Sequence, residues 1–157
     1  MHRVKSRLSY LLVLACLFWA AAGSLRAVWQ AEGSQPVAST STSLDFEFFK
    51  TKVQPIFLAK RPGRARCVAC HSFNNSALRL QPLSPGSTTW NEEESRNNFE
   101  GVRKVVVPGN LESPLLIHPL AEPAGGDFFH SGGKQFDSQN NPEWQTLKAW
   151  VFGATAQ

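Results

Sequence analysis

The chain has 157 residues, with 16 Lys plus Arg against 12 Asp plus Glu and 42% hydrophobic content, which is one domain's worth of sequence. Charged residues make up 18%, and five Trp, one Tyr and eleven Phe supply packing mass; this excludes a disordered chain, and a formal charge of +4 is modest for a nucleic-acid binder. Three Cys are too few for a disulfide scaffold, while 11 Gly and 10 Pro point to a core with a large share of loop.

Arg3, Lys5 and Arg7 precede a charge-free apolar run from Leu8 to Ala22 that ends in Ala20-Ala21-Ala22. A positive segment, an apolar segment and small residues in that order form a secretory signal over 1–22. The competing reading is an uncleaved anchor reaching Leu25, at the lower edge of what spans a bilayer. Cys16 lies inside this run and takes no role. Removing Arg3, Lys5 and Arg7 from the 16 basic residues leaves 13 against 12 acidic ones, so the basic balance belongs mostly to the signal and nucleic acid loses its compositional support. Export places the folded chain in the periplasm or another extracytoplasmic compartment, where thiols tend to oxidise. Residues 23–42, made of Ser, Thr, Ala and Gln with few apolar anchors, read as a flexible tether.

The folded domain is expected over 43–157. Ser43 is a good N-cap, Asp45 and Glu47 suit a helix N-terminus, and Phe46, Phe49, Val53, Ile56 and Phe57 recur at spacings of three and four. This predicts an amphipathic helix of about 15 residues, with a kink or early break at Pro55 and an end at Arg61-Pro62-Gly63. Lys50, Lys52, Lys60, Arg61, Arg64 and Arg66 form a basic run, which is either a surface that steers an acidic partner or a solvated helix face.

Next comes Cys67-Val68-Ala69-Cys70-His71. C-x-x-C-H is the attachment signature of c-type haem: two thiols add across the vinyl groups on one porphyrin edge, and the adjacent imidazole is presented to the iron. A thioredoxin-like pair would want a βαβ context, which the pattern lacks. A zinc site drawn from Cys67, Cys70, His118 and His130 does not have finger-like spacing. A disulfide across two residues would be strained and would close a trivial loop.

Loop composition over 72–90 gives way to a helix over Glu92–Lys104, with Asn91 and Glu94 at capping-box spacing, three acids in the first turn and Phe99 with Val102 facing inward. A short helical turn from Ser113 to His118 is stopped by Pro119. A second loop rich in Pro, Gly, Asn and Ser fills 119–141. Asn141, Pro142 and Glu143 then start a final helix whose Trp144, Leu147, Trp150 and Val151 share one face. There is one C-x-x-C-H and no internal repeat, so one haem is expected.

From about Leu44 to Val151 this order of a helix, C-x-x-C-H, an irregular middle and a C-terminal aromatic helix resembles bacterial single-haem c-type cytochromes of the class I kind. The resemblance implies a small, mainly α domain wrapped around one covalent haem, with long irregular loops and the two terminal helices crossing. In many relatives a methionine from the late loop is the second axial ligand, but the only methionine here is Met1 and His2 leaves with the signal. His71 is the proximal ligand, so the distal ligand is His130 or His118, or the position is open. The resemblance favours His130, set between Gly125-Gly126 and Gly132-Gly133 shortly before the last helix; paired glycines would let backbone pass close to the porphyrin face. It also implies that a proline carbonyl, here that of Pro82, orients the proximal imidazole, and that Arg79 pairs with a haem propionate or is solvated.

Two functions follow. One is an electron carrier rather than an enzyme, passing one electron between redox protein partners, either free or tethered to a membrane by an uncleaved N-terminus. The other is a five-coordinate haem that binds CO, NO or peroxide as a sensor or weak peroxidase.

Overall fold

A computed structural model of the chain describes residues 42–73 and 76–157. The expected signal at 1–22 and all of the expected tether but residue 42 lie outside them. Among the described residues the chain is a small, mainly helical domain of five helices with no strand; its only pairings of extended backbone are the isolated bridges Arg61–Arg64 and Leu120–Phe136. No helix among them is long and apolar enough to cross a membrane.

Helix α1 runs as α-helix over Phe46–Phe48, as π-helix over Phe49–Val53 and again as α-helix over Gln54–Leu58. Its cap is Asp45 and not Ser43: the Asp45 carboxylate accepts the Phe48 amide at 2.6 Å. Pro55 does not break the helix. In an α-helical register its ring would meet the carbonyl four residues back, on Thr51; the wider π turn, in which the Gln54 amide reaches the Phe49 carbonyl, relieves that clash. The extra residue also shifts the phase so that Phe49, Val53, Ile56 and Phe57 are all buried.

Helix α2 is the single turn Cys67–His71, α3 spans Glu92–Arg103, α4 Pro114–Ile117 and α5 Pro142–Val151, with one unexpected 3-10 turn at Glu122–Ala124. The expected capping box is present on α3: the Glu94 amide donates to Asn91 and the Asn91 amide to the Glu94 carboxylate, at 2.9 and 2.8 Å. Helix α5 starts as expected, with the Asn141 side chain accepting from the amides of Glu143 and Trp144.

Helices α1 and α5 meet at Phe49 and Trp150, whose ring centroids are 5.2 Å apart, and Phe99 of α3 packs edge-on against Phe49 at 5.5 Å. The Trp150 indole also donates to the Asp45 carbonyl at 2.8 Å, tying the end of α5 to the start of α1. A buried polar relay joins α1 to α3: the Gln54 amide donates to Ser95 at 2.9 Å and that of Asn98 to Gln54 at 3.5 Å. Asn98 in turn accepts the Gln81 amide at 2.6 Å, while the Gln81 carbonyl takes the Trp90 indole and the Ser72 hydroxyl. The 72–90 loop is thereby clamped to α3, and Gly101 lets it come close, since a Cβ there would fall 2.3 Å from the Arg79 carbonyl.

Candidate functional site

Beside the helix crossing lies a cavity of about 550 Å³, within the roughly 300–1,000 Å³ range of cofactor sites. Its walls are mostly apolar: Ile56 and Phe57 from α1, Leu115 from α4, Leu147 from α5, and Leu78 and Phe136 from the loops. Cys67, His71, His118 and His130 all line it, and a small hollow adjoining it is lined by Cys67, Cys70, His71 and His130.

The one-turn helix α2 sets the spacing of the C-x-x-C-H residues. Cys67 and Cys70 are free thiols. Burial pushes the Cys67 thiol up from its ordinary pKa, against the opposing pull of the Arg61 charge beside it. A half-buried, protonated thiol is not the exposed thiolate that a thioredoxin-like exchange needs. Among the described residues no three His, Cys, Asp or Glu converge as a metal-holding group, so the four candidate zinc ligands do not assemble.

His71 Nδ1 lies 3.0 Å from the Leu78 carbonyl and 2.9 Å from Ser76 Oγ, and the Ser76 hydroxyl itself donates to Leu78 at 2.7 Å. A carbonyl only accepts, so Nδ1 carries the proton and Nε2 keeps its lone pair for a metal. The orienting carbonyl is therefore Leu78's and not Pro82's; Pro82 is exposed and does not line the cavity. The loop turns back early because the Leu80 amide bonds the His71 carbonyl at 3.1 Å, which brings Leu78 over the ring. Burial lowers the His71 pKa, so the neutral, metal-binding imidazole is favoured. The Arg79 side chain is exposed and off the cavity wall, while its backbone packs on Gly101.

His130 repeats the pattern. Its Nδ1 donates to the Gly133 carbonyl at 2.7 Å and its carbonyl accepts the Gly133 amide at 2.8 Å, a closed turn in which Gly133 sits at φ 75° and Nε2 is again left bare. The centroids of the His71 and His130 rings are 6.1 Å apart and their planes 22° from parallel. Each ring could offer its Nε2 to one metal ion held in the cavity.

His118 also lines the cavity, but its Nδ1 is engaged by the Asp127 carboxylate, and Lys134 donates to the carbonyls of both residues. The glycine pairs serve the loop's own path: Gly125 takes φ 96°, and a Cβ on Gly126 would fall 1.9 Å from the Leu120 carbonyl. Only Gly132 borders the C-x-x-C-H segment, its Cβ position lying 3.9 Å from Cys70 Sγ and 3.6 Å from the His130 ring. Ser76, Leu78, Asp127 and Gln135 were missed by the sequence reading; a carbonyl and three ordinary polar side chains carry no spacing signal. Of the basic run, Lys50 pairs with Glu47 and Glu92, Arg61 with Glu143 and Arg64 with Asp137, so half of it is neutralised within the domain.

Comparison with known proteins finds no family model, no curated protein and no solved structure that matches this chain.

Proposed function

We propose that this protein is an exported single-haem c-type cytochrome that carries one electron between redox partners, with His71 and His130 as the axial ligands. The observation that carries the reading is the pair of imidazoles facing one cavity, each with Nδ1 engaged by a backbone carbonyl, 6.1 Å apart and next to Cys67 and Cys70. When bound, haem c supplies a metal centre that alternates between ferric and ferrous states.

The chain's own part is binding, orientation and exclusion of water. The thiols of Cys67 and Cys70 would hold the macrocycle covalently, and Leu78 and Gly133 fix which nitrogen each imidazole offers. Walls such as Phe57, Leu115, Phe136 and Leu147 exclude solvent. Phe129, which is 72% exposed and lines the cavity, gives a redox protein an apolar edge to approach. With both imidazoles on the iron no position would stay open, which favours electron transfer over ligand binding.

A second reading has one observation in its favour. The His118–Asp127 pair on the cavity wall supplies the acid and base that chemistry at an open haem face requires; if His130 does not bind the iron, the protein is a five-coordinate haem that takes CO, NO or peroxide. A pyridine haemochrome assay followed by oxidised, reduced and reduced-plus-CO spectra decides between them. Covalent haem with a low-spin spectrum that CO shifts only slowly, as the imidazole leaves, is expected. A high-spin spectrum shifted by CO selects the second reading, and absence of haem overturns both.

A further inference from the structure

The turn that presents His130 is held from behind by a buried side chain. Gln135 is 4% exposed, and its amide donates to the carbonyls of Gly132 at 3.3 Å and Gly133 at 3.5 Å. The Gly133 carbonyl is the one that takes the His130 Nδ1 proton. The other end of the Gln135 amide accepts from Arg61 Nη1 at 3.3 Å. Arg61 is fixed in turn: Nε and Nη2 donate to the Glu143 carboxylate at 3.0 and 2.6 Å, Nη2 also reaches the Ile56 carbonyl at 3.3 Å, and the guanidinium lies over the Phe136 ring. An unbroken chain of polar contacts thus runs from α5 and the end of α1, through Arg61 and Gln135, to the backbone that aims His130. The backbone of Gln135 is pinned as well, its amide donating to Pro119 at 2.7 Å.

We infer that Gln135, oriented by Arg61, is a positioning residue that keeps the His130 imidazole on the iron and so sets how readily an external ligand displaces it. The inference rests on the reading of His130 as axial ligand. The physical reason is that the His130 turn has few other anchors: His130–Gly133 is closed only on itself, and Phe128 and Phe129 beside it are exposed. A side chain that bonds two successive carbonyls of that turn restricts its outward swing. A glutamine suits the place because one end must accept from a guanidinium while the other donates to carbonyls.

The test uses the holoprotein and CO as probe. After flash reduction the rate of CO binding to a six-coordinate haem reads how often the distal imidazole leaves. Gln135→Leu removes both contacts, and Gln135→Glu keeps the acceptor for Arg61 but has no hydrogen to give to Gly132 and Gly133. With haemochrome content unchanged, both variants are expected to bind CO faster by about tenfold, the scale set by loss of one hydrogen bond, and Arg61→Leu to move the same way. A melting temperature that falls while the CO rate stays at the wild-type value overturns the inference, since Gln135 would then hold the core and not the imidazole. If His130→Ala itself leaves the spectrum and CO rate untouched, the ligand reading fails and the inference falls with it, a result distinguishable from failure of the Gln135 variants alone.

Discussion

The two histidines on the cavity wall besides His71 differ in their partners and in what they face. His130 and His118 line the same cavity, yet His130 faces His71 and gives its Nδ1 proton to a backbone carbonyl, whereas His118 is engaged by a carboxylate. Either partner can hold Nδ1 and leave Nε2 to ligate; what sets His130 apart is that it faces His71. His130→Ala is therefore expected to open the iron and make it high-spin, with CO binding at once, while His118→Ala leaves the low-spin spectrum in place; optical spectra of the two variants check this, and the reverse pattern would reassign the ligand. His130→Met carries a further expectation. Thioether ligation raises the potential relative to imidazole, so this variant's midpoint should rise by about 0.1 V, a fraction of the roughly 0.8 V that axial ligation spans, as read by redox titration. At this scale the sequence brings Cys67, Cys70 and His71 forward by local spacing alone, three residues that line the cavity or the hollow beside it. It did not disclose Leu78, since which carbonyl meets a ring depends on the path of the 72–90 loop, and that path is set by Asn98 and Trp90 gripping Gln81.

The elements were legible where the signal is local. The capping box of α3 and the Asn141-Pro142 start of α5 involve residues two to four apart and occur where expected. The π segment of α1 was not legible, because Pro55 specifies that something must give and not how; the buried positions of Ile56 and Phe57 beyond it decide in favour of continuing the helix. The caps make a quantitative expectation for α3. Asn91→Ala removes the acceptor of the Glu94 amide and should cost about 0.5–2 kcal/mol, read as a shift in the urea midpoint without a change in slope. Glu94 adds a pH dependence. The Ser84 hydroxyl, and then the Asn91 amide, hold its carboxyl below the usual glutamate range. A folded-state pKa below the unfolded one contributes stability above about pH 4.3, and that contribution is lost as pH falls through the lowered value. Glu94→Gln is accordingly expected to flatten the acid limb of a stability-versus-pH curve below about pH 4.3 and to leave the neutral region's slope unchanged. An acid limb as steep as that of the wild type would show that other groups set it.

Taken as a whole, the domain has two unlike halves. On one side Phe49, Val102 and Trp150 are fully buried around the α1–α5 crossing, and this half was readable from apolar periodicity alone. On the other side apolar walls from α1, α4, α5 and two loops surround about 550 Å³, a volume that no pattern of residues announces because it is made of what the chain leaves out. Cofactor sites are commonly clefts of this size with mostly apolar walls, and a group held in one contributes to folding because it binds the folded state. On the proposed reading the double variant Cys67→Ala/Cys70→Ala cannot attach haem and so separates the halves. Its far-UV circular dichroism should stay largely helical, since the crossing does not depend on the cavity, while it binds a hydrophobic dye and melts lower by about 10–20 °C, at about 4 °C per kcal/mol where the scales for smaller and larger domains meet. Trp150→Phe should do the opposite: it removes the indole bond to Asp45 from the crossing, costs about 1–3 kcal/mol, and leaves the haem spectrum unchanged. If instead the cysteine variant melts with the wild type and binds no dye, the cavity is self-supporting, and stability and cofactor are uncoupled in this fold.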